Sequence, residues 1–413
     1  MRDCGKRKQV LLYCHDGPIY RDQEGRYYDY SLSRRFLVQY FAIAKQVRLM
    51  VRVRPFSAAG NPSRCMNPLD MPSLSVVEIG DLKRVGSVRH LRETKKRICE
   101  QVSQANLLVC RFSGPTADLA AAEARRRGIP YLAECVNCAW DINWYHSIVG
   151  KCVAPLSFLA ARRGIRQASH VLYVSGFFLQ KRYPTQGKSL GWPDAVLENV
   201  RGKVPEKYSR SVGRAGRIVL GTAGGLDPVF KGQTYVIRAL ALLKREGDTR
   251  FFYRMAGPGT GERIRRLAHR LGVEDQIEIC GCLNGERMRG WYDSLDLYLQ
   301  PSLTEGMPRA LLEAMATGTA AAGSCVGGSA ELLHPDAQFP RGRRGIRPLC
   351  ELLRRINTEV LSQLSAYGLQ IARKYRYERS AGIRIAFYRG YREEADNGDQ
   401  DSSYCANSGS GRD

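Results

Sequence analysis

Short apolar runs rich in β-branched residues recur along the chain, separated by stretches whose apolar positions repeat at helical spacing. In the first half the runs are VLLYC (10–14), VRLMVRV (47–53), SVVEIG (75–80), NLLVCRF (106–112), YLAEC (131–135) and HVLYVS (170–175). Each reads as a strand. Between two of them TADLAAAEARRRG has a helical pattern and stops on a glycine, and GIP leads into the next strand. Alternating strands and helices predict parallel βαβ units.

A second series begins beyond the polar stretch NVRGKVPEKYSRSVGRAG (199–216). Its strands are RIVLGT (217–222), RFFYRMAG (250–257), IEICG (277–281), DLYLQPS (296–302) and AAAGS (320–324), with helices expected over 233–246, 261–272, 286–295 and from about 308. Two doubly wound α/β domains are therefore expected, 1–200 and 201–393, with 199–216 as the hinge. The polar, acidic and Gly/Ser-rich residues 394–413 are expected to form a disordered tail. Ligands of open α/β sheets bind beyond the carboxyl ends of the strands, so two such domains face each other across a cleft that holds a ligand from both sides.

Composition agrees with two domains. A chain of 413 residues exceeds one ordinary core. No apolar run reaches the roughly 18 residues of a membrane helix, and the apolar part of MRDCGKRKQVLLYC is too short for a signal-peptide core. A cytoplasmic protein is expected. The thirteen cysteines are odd in number and scattered through apolar segments, as reduced buried thiols are. CVNC (Cys135, Cys138) has zinc-like spacing but no second ligand pair follows, so no metal is expected.

The formal charge of +24 asks for an anionic partner: nucleic acid, an anionic membrane surface or a phosphate-bearing ligand. The aromatic residues, 9% of the chain, are not interleaved with Lys and Arg in stacking rows, which argues against nucleic acid. Any single basic run, such as 125–127 or 341–345, reads as a solvated face.

The candidate chemistry lies at the strand ends of the second domain. GTAGGLDPVFKG (221–232) places glycines where backbone can approach a ligand and Lys231 where it can reach a phosphate, though KG also fits a surface turn. AGPGTGE (256–262) is glycine-rich but matches neither a Walker loop nor GxGxxG. EGMPRALLE (305–313) ends a loop at Glu305, puts Pro308 in the first turn of a helix and Glu313 inside it. A helix start seats a diphosphate and carboxylates accept hydroxyls, a pairing that describes a nucleotide sugar. The other reading makes Glu305 helix punctuation and Glu313 a surface residue.

EGMPRALLEAMATG followed by AAAGSCVGGSAELL resembles the E-x7-E motif of the retaining glycosyltransferases of family 4, which have the GT-B fold of two Rossmann-like domains. The segments across 217–333 follow that family's order, and LLYCHDGPIY and HVLYVSGFFLQKRYP extend the resemblance into the first half. The resemblance implies that Glu305 contacts the donor sugar. It implies that Gly306, Met307, Pro308 and Arg309 approach sugar hydroxyls and diphosphate, and that Glu313 holds the ribose. Lys231 would neutralise the leaving diphosphate in place of a metal ion. Gly17 would sit against the phosphates from the first, acceptor-side domain, and the C-terminal helix would pack back on that domain.

The chain departs from the family's pattern twice. Gly225 stands where the family has an arginine six residues before the lysine, leaving the glycine itself as the donor contact there. No histidine occurs in YLAECVNCAWDINWY, where Glu134, Asn137 or Asp141 could supply a polar contact. The implied activity is transfer from a nucleoside-diphosphate sugar to a glycan or lipid-linked acceptor, in cell-surface polysaccharide biosynthesis. It implies no cofactor. The basic balance of the chain suits peripheral contact with the anionic inner face of the membrane, although no amphipathic anchor is obvious in the sequence. The departures leave a non-catalytic nucleotide-sugar- or glycan-binding relative as the alternative.

Overall fold

The computed structural model describes residues 9–56, 66–82, 88–112, 114–208 and 216–407. Among them, ten strands form a first sheet: β1 (Val10–Cys14), β2 (Ile19–Arg21), β3 (Tyr27–Asp29), β4 (Gln46–Pro55), β5 (Asn67–Pro68), β6 (Leu74–Ile79), β7 (Leu107–Phe112), β8 (Leu132–Cys135), β9 (His170–Tyr173) and β10 (Lys188–Gly191). Their order is β10-β9-β8-β7-β1-β4-β2-β3-β5, with β6 also beside β4. Only β2–β3 and β3–β5 pair antiparallel. Every residue of β1 and β7 is buried, as in parallel strands covered on both faces. The covering helices are α1 (Arg34–Leu37), α2 (Val88–Ser103), α3 (Pro115–Arg126), α4 (Ala139–His146), α5 (Ile148–Arg166) and α6 (Phe178–Arg182). In α3, Pro115 opens the first turn and Ala117, Ala120, Ala121 and Ala124 make the narrow buried face that lets the helix lie close to the sheet.

The second sheet holds six strands among the described residues: β11 (Ile218–Ala223), β12 (Phe251–Ala256), β13 (Ile277–Gly281), β14 (Leu297–Gln300), β15 (Ala320–Ser324) and β16 (Gln338–Phe339). All pair parallel in the order β13-β12-β11-β14-β15-β16. Its helices are α7 (Gln233–Arg245), α8 (Glu262–Leu271), α9 (Gly285–Asp293), α10 (Arg309–Ala316), α11 (Ser329–Leu332), α12 (Ile346–Arg354) and α13 (Thr358–Lys374). The strand order reverses between β11 and β14, which opens a crevice at their carboxyl ends.

The chain crosses between the sheets twice. On the way out, Arg201 N donates to Ala316 O at 2.8 Å, and on the return Tyr377 N donates to Leu197 O at 3.0 Å. Part of the expected hinge, 209–215, lies outside the described residues. Helix α14 (Tyr377–Asn407) then lies on the first domain. Tyr388, Tyr391 and Ala395, at helical spacing, are buried in the apolar cluster that contains Leu11, Tyr13 and Leu49. The Tyr391 hydroxyl takes a bond from Leu108 N at 2.9 Å and gives one to Leu108 O at 3.0 Å.

The expected tail is corrected by this helix. Residues 394–407 continue α14, because the apolar face set by Tyr388 and Tyr391 runs on to Ala395, and Glu394 pairs with Lys188 at 2.8 Å. Residues 408–413 lie outside the described residues.

Candidate active site

The carboxyl edges of the two sheets face each other across a cleft of about 1300 Å³. Its second-domain wall is built from the loops that follow β11, β12, β13 and β14, and its first-domain wall includes Ser31, Arg111 and Asn137. The loop after β14 runs close under the first domain. A Cβ on Gly306 would lie 1.8 Å from Val136 O and 3.1 Å from Asn137 Cα, so any larger residue would force the walls apart.

Glu305 is held by three donors on one oxygen. Its Oε1 accepts from Ser302 Oγ at 2.7 Å, Lys231 Nζ at 2.8 Å and Gln300 Nε2 at 3.0 Å. Its Oε2 takes no hydrogen bond from a described residue. Lys231 reaches this point because the turn Val229–Lys231 ends on Gly232, at φ +79°. A Cβ on Gly232 would lie 1.9 Å from Pro301 O, and Leu303 N donates to Phe230 O at 2.7 Å, so the β11 and β14 loops lock together. An ammonium has three donors, and Lys231 commits one of them to Glu305.

Helix α10 begins directly after this loop, with Pro308 as its N-cap in extended backbone. Its first amides and dipole point toward the cleft. Arg309 Nη1 donates across the cleft to Ser31 O at 2.9 Å. Glu313, a turn inside the helix, lines the cleft and accepts from the Tyr292 hydroxyl at 2.9 Å. Burial pushes the Glu313 carboxyl above its ordinary value, with the Arg309 charge and the Tyr292 bond opposing that shift.

The structure brings Lys231, Glu305, Gly306, Met307, Pro308, Arg309, Glu313 and Asn137 to this one cleft. Asn137 Oδ1 is buried without a hydrogen-bond partner, the state of a polar atom that a ligand would satisfy. Four expected residues do not line the cleft. Gly17 gives its carbonyl to the Arg52 guanidinium and packs against Val51. Gly225 turns its carbonyl to Gln233 Nε2 at 2.9 Å, and its neighbour Gly224 lines the cleft instead. Asp141 is buried and accepts from Arg182 Nη1 at 3.0 Å. Glu134 is likewise withdrawn, accepting from Tyr40 and Tyr388 hydroxyls at 2.6 Å each and from Arg111 at 3.0 Å.

The supporting residues Tyr292, Gln300 and Ser302 were not singled out by the sequence reading. Gln300 and Ser302 carried a signal, as polar residues ending the apolar run LYLQPS at a strand's carboxyl edge. No group of three His, Cys, Asp or Glu side chains among the described residues is arranged to hold a metal ion. Cys135 and Cys138 are buried free thiols, and Cys138 Sγ accepts from Arg182 Nη1 at 2.8 Å.

Residues 217–342 match the family described as Glycosyl transferases group 1. Protein CapJ of Staphylococcus aureus is 25% identical over 360 residues, 86% of this chain and 87% of that protein. The putative colanic acid biosynthesis glycosyltransferase WcaL of Escherichia coli K12 is 35% identical over 113 residues, 26% of this chain and 28% of that protein. Among solved structures, sucrose-phosphate synthase from Thermosynechococcus elongatus superposes with TM-score 0.67 at 15% identity, covering 92% of this chain and 98% of that one. Anabaena HepE in complex with UDP-glucose gives TM-score 0.61 at 16% identity, covering 91% and 98%. The fold is GT-B, two Rossmann-like domains facing a central cleft.

Proposed function

We propose that this chain, which has the GT-B fold and a segment matching Glycosyl transferases group 1, is a glycosyltransferase that moves a sugar from a nucleoside-diphosphate sugar to a hydroxyl of a glycan or lipid-linked acceptor, with retention at the anomeric carbon. The observation that carries this reading is the order of groups along one cleft wall: Glu305 with an open oxygen, Lys231 beside it, the start of α10, and Glu313 one turn further. In that order they match a sugar, a diphosphate and a ribose.

The diphosphate lies on the α10 amides and the two uncommitted Lys231 donors, which stabilise the charge that develops as it leaves. Glu305 Oε2 accepts a hydroxyl of the donor sugar, and the Glu313 carboxyl group accepts the ribose hydroxyls. Asn137 Oδ1 faces the sugar from the first domain. The acceptor hydroxyl attacks from the side on which the leaving group departs, and a diphosphate oxygen takes its proton. These steps use no metal ion. The similarity to WcaL, described as a putative colanic acid biosynthesis glycosyltransferase, supports a place in cell-surface polysaccharide assembly.

A non-catalytic nucleotide-sugar-binding relative is the second reading, favoured by the Lys231–Glu305 pair and by Gly225 where a cation would assist. Purified protein incubated with nucleoside-diphosphate sugars and acceptor glycans separates the two. Release of nucleoside diphosphate with a new glycosidic product supports transfer. Tight donor binding without product across the panel supports the second reading.

A further inference from the structure

Among the described residues ten large apolar side chains are exposed, and six of them fall in 144–159. Ile148 is 83% exposed, Val149 73%, Leu156 70% and Leu159 59%, with Trp144 and Val153 beside them. Helix α5 buries a narrow strip of small residues, Gly150, Ala154, Ala161 and Gly164, together with Ile165. Its larger apolar residues therefore point outward over the first three turns, a strip about 18 Å long. This is the reverse of a helix that packs on a core by its large residues.

The charges around the strip have one sign. Lys151 stands beside it with its ammonium 5.6 Å from the Trp144 ring centroid. Arg162, Arg163 and Arg166 close the helix on the exposed side, Arg162 lying 6.0 Å from the Phe158 ring centroid. The segment 148–166 contains no acidic residue, and the acid of α4, Asp141, is buried and paired with Arg182. No described helix is long and apolar enough to cross a membrane, so this face would lie along a surface.

We propose that the outer face of α5, with Trp144 of α4, docks the protein on an anionic bilayer surface. The apolar strip enters the acyl boundary and the four cations engage headgroups, with their stems along the strip. A second copy of the chain fits less well, because two such faces would bring like charges together. The docking face adjoins the cleft: Ile142 of α4 lines it, and Arg341 of the second domain stacks over Tyr145 at 5.3 Å. Docking would set the cleft mouth beside the membrane plane, where an acceptor carried on a lipid is presented.

The test uses the full chain without nucleotide, so it holds whether or not the transfer reading does. Cosedimentation is measured with phosphatidylcholine vesicles, with and without phosphatidylglycerol. Wild type should bind the anionic vesicles at least about tenfold more tightly, with affinity falling as salt rises. Leu156→Glu/Leu159→Glu and, separately, Arg162→Gln/Arg163→Gln/Arg166→Gln should each lose about tenfold or more while keeping the wild-type melting temperature. Equal binding to both vesicles, or variants that bind as well as wild type, would overturn the proposal. So would a concentration-dependent dimer, broken by the leucine variant, in a protein that ignores vesicles.

Discussion

Glu305 and Glu313 are eight residues apart, yet their surroundings assign them different work. Glu305 sits among donors, one oxygen saturated by Ser302, Lys231 and Gln300. Replacing it by Ala would remove the proposed acceptor for the donor sugar and free Lys231. Transfer should fall by at least about 100-fold, the usual effect of losing one preorganised transition-state contact, with the melting temperature little changed. A variant within twofold of wild type would remove Glu305 from the reaction. Glu313 is instead held against burial, and its raised carboxyl makes ionisation costly in the folded state. That cost is fully present above the raised value and vanishes below the ordinary value of about 4.3. Glu313→Gln should therefore be at least as stable as wild type at neutral pH, with the advantage shrinking as pH falls toward 4.3. Its donor affinity should drop about tenfold, a loss of about 1.4 kcal/mol. Unchanged donor affinity measured by calorimetry would refute the ribose role. Both glutamates were legible in the sequence because a helix start between two acids is a local pattern. Gly17, Gly225 and Asp141 were misplaced because their positions depend on long-range packing: Arg52 from β4, Gln233 from α7 and Arg182 from α6 claim them.

The elements position these residues through loops that touch across the cleft. Besides Arg309 on Ser31, Glu331 of α11 reaches into the first domain. Its carboxylate accepts from Gly176 N at 2.6 Å, Phe178 N at 2.9 Å and Phe177 N at 3.0 Å, capping the start of α6 from the other domain. These three bonds run between the domains, so any movement that parts the two domains must break them. Glu331→Ala should shift the protein toward an open form, raising KM for donor several-fold with a smaller effect on stability. Small-angle scattering should show a larger radius of gyration; an unchanged radius and KM would show that Glu331 does not hold closure. The apolar runs announced interior strands of both sheets nearly to the residue, as β1 and β15 show. The two- and three-residue strands β2, β3 and β5 gave no periodic signal, being too short to repeat one.

At the scale of the molecule, α14 ties the end of the chain to its beginning. Arg384 donates to Gln39 at 2.8 Å and to the Tyr388 hydroxyl at 2.7 Å, inside a buried cluster with Glu134, Arg111 and Asp194. Burial works against the Asp194 charge, but Arg111, Arg309 and Arg384 overcome it and hold the carboxyl at about 2. The stability it supplies is present above the ordinary aspartate value of about 3.9 and is lost as pH falls through about 2. Asp194→Ala leaves buried arginine charge uncompensated and should cost about 3 kcal/mol at neutral pH, read by denaturant unfolding of the first domain. A loss below half that would show the cluster to be solvated. The resemblance implied this return of the C-terminal helix, but not its continuation past 393, since polar composition at 394–407 outweighed the single apolar face that continues from Tyr388 to Ala395.

The central claim is that one cleft wall binds a nucleoside-diphosphate sugar through Lys231, the start of α10 and Glu313. Thermal-shift titration with a panel of nucleoside diphosphates and their sugars, in the presence of a chelator, tests it most directly. The melting temperature of the wild-type protein should rise with the logarithm of ligand concentration for one base, and the rise should shrink sharply in both Lys231→Ala and Glu313→Gln. No rise with any nucleoside diphosphate, or an equal rise in the variants, would contradict the claim.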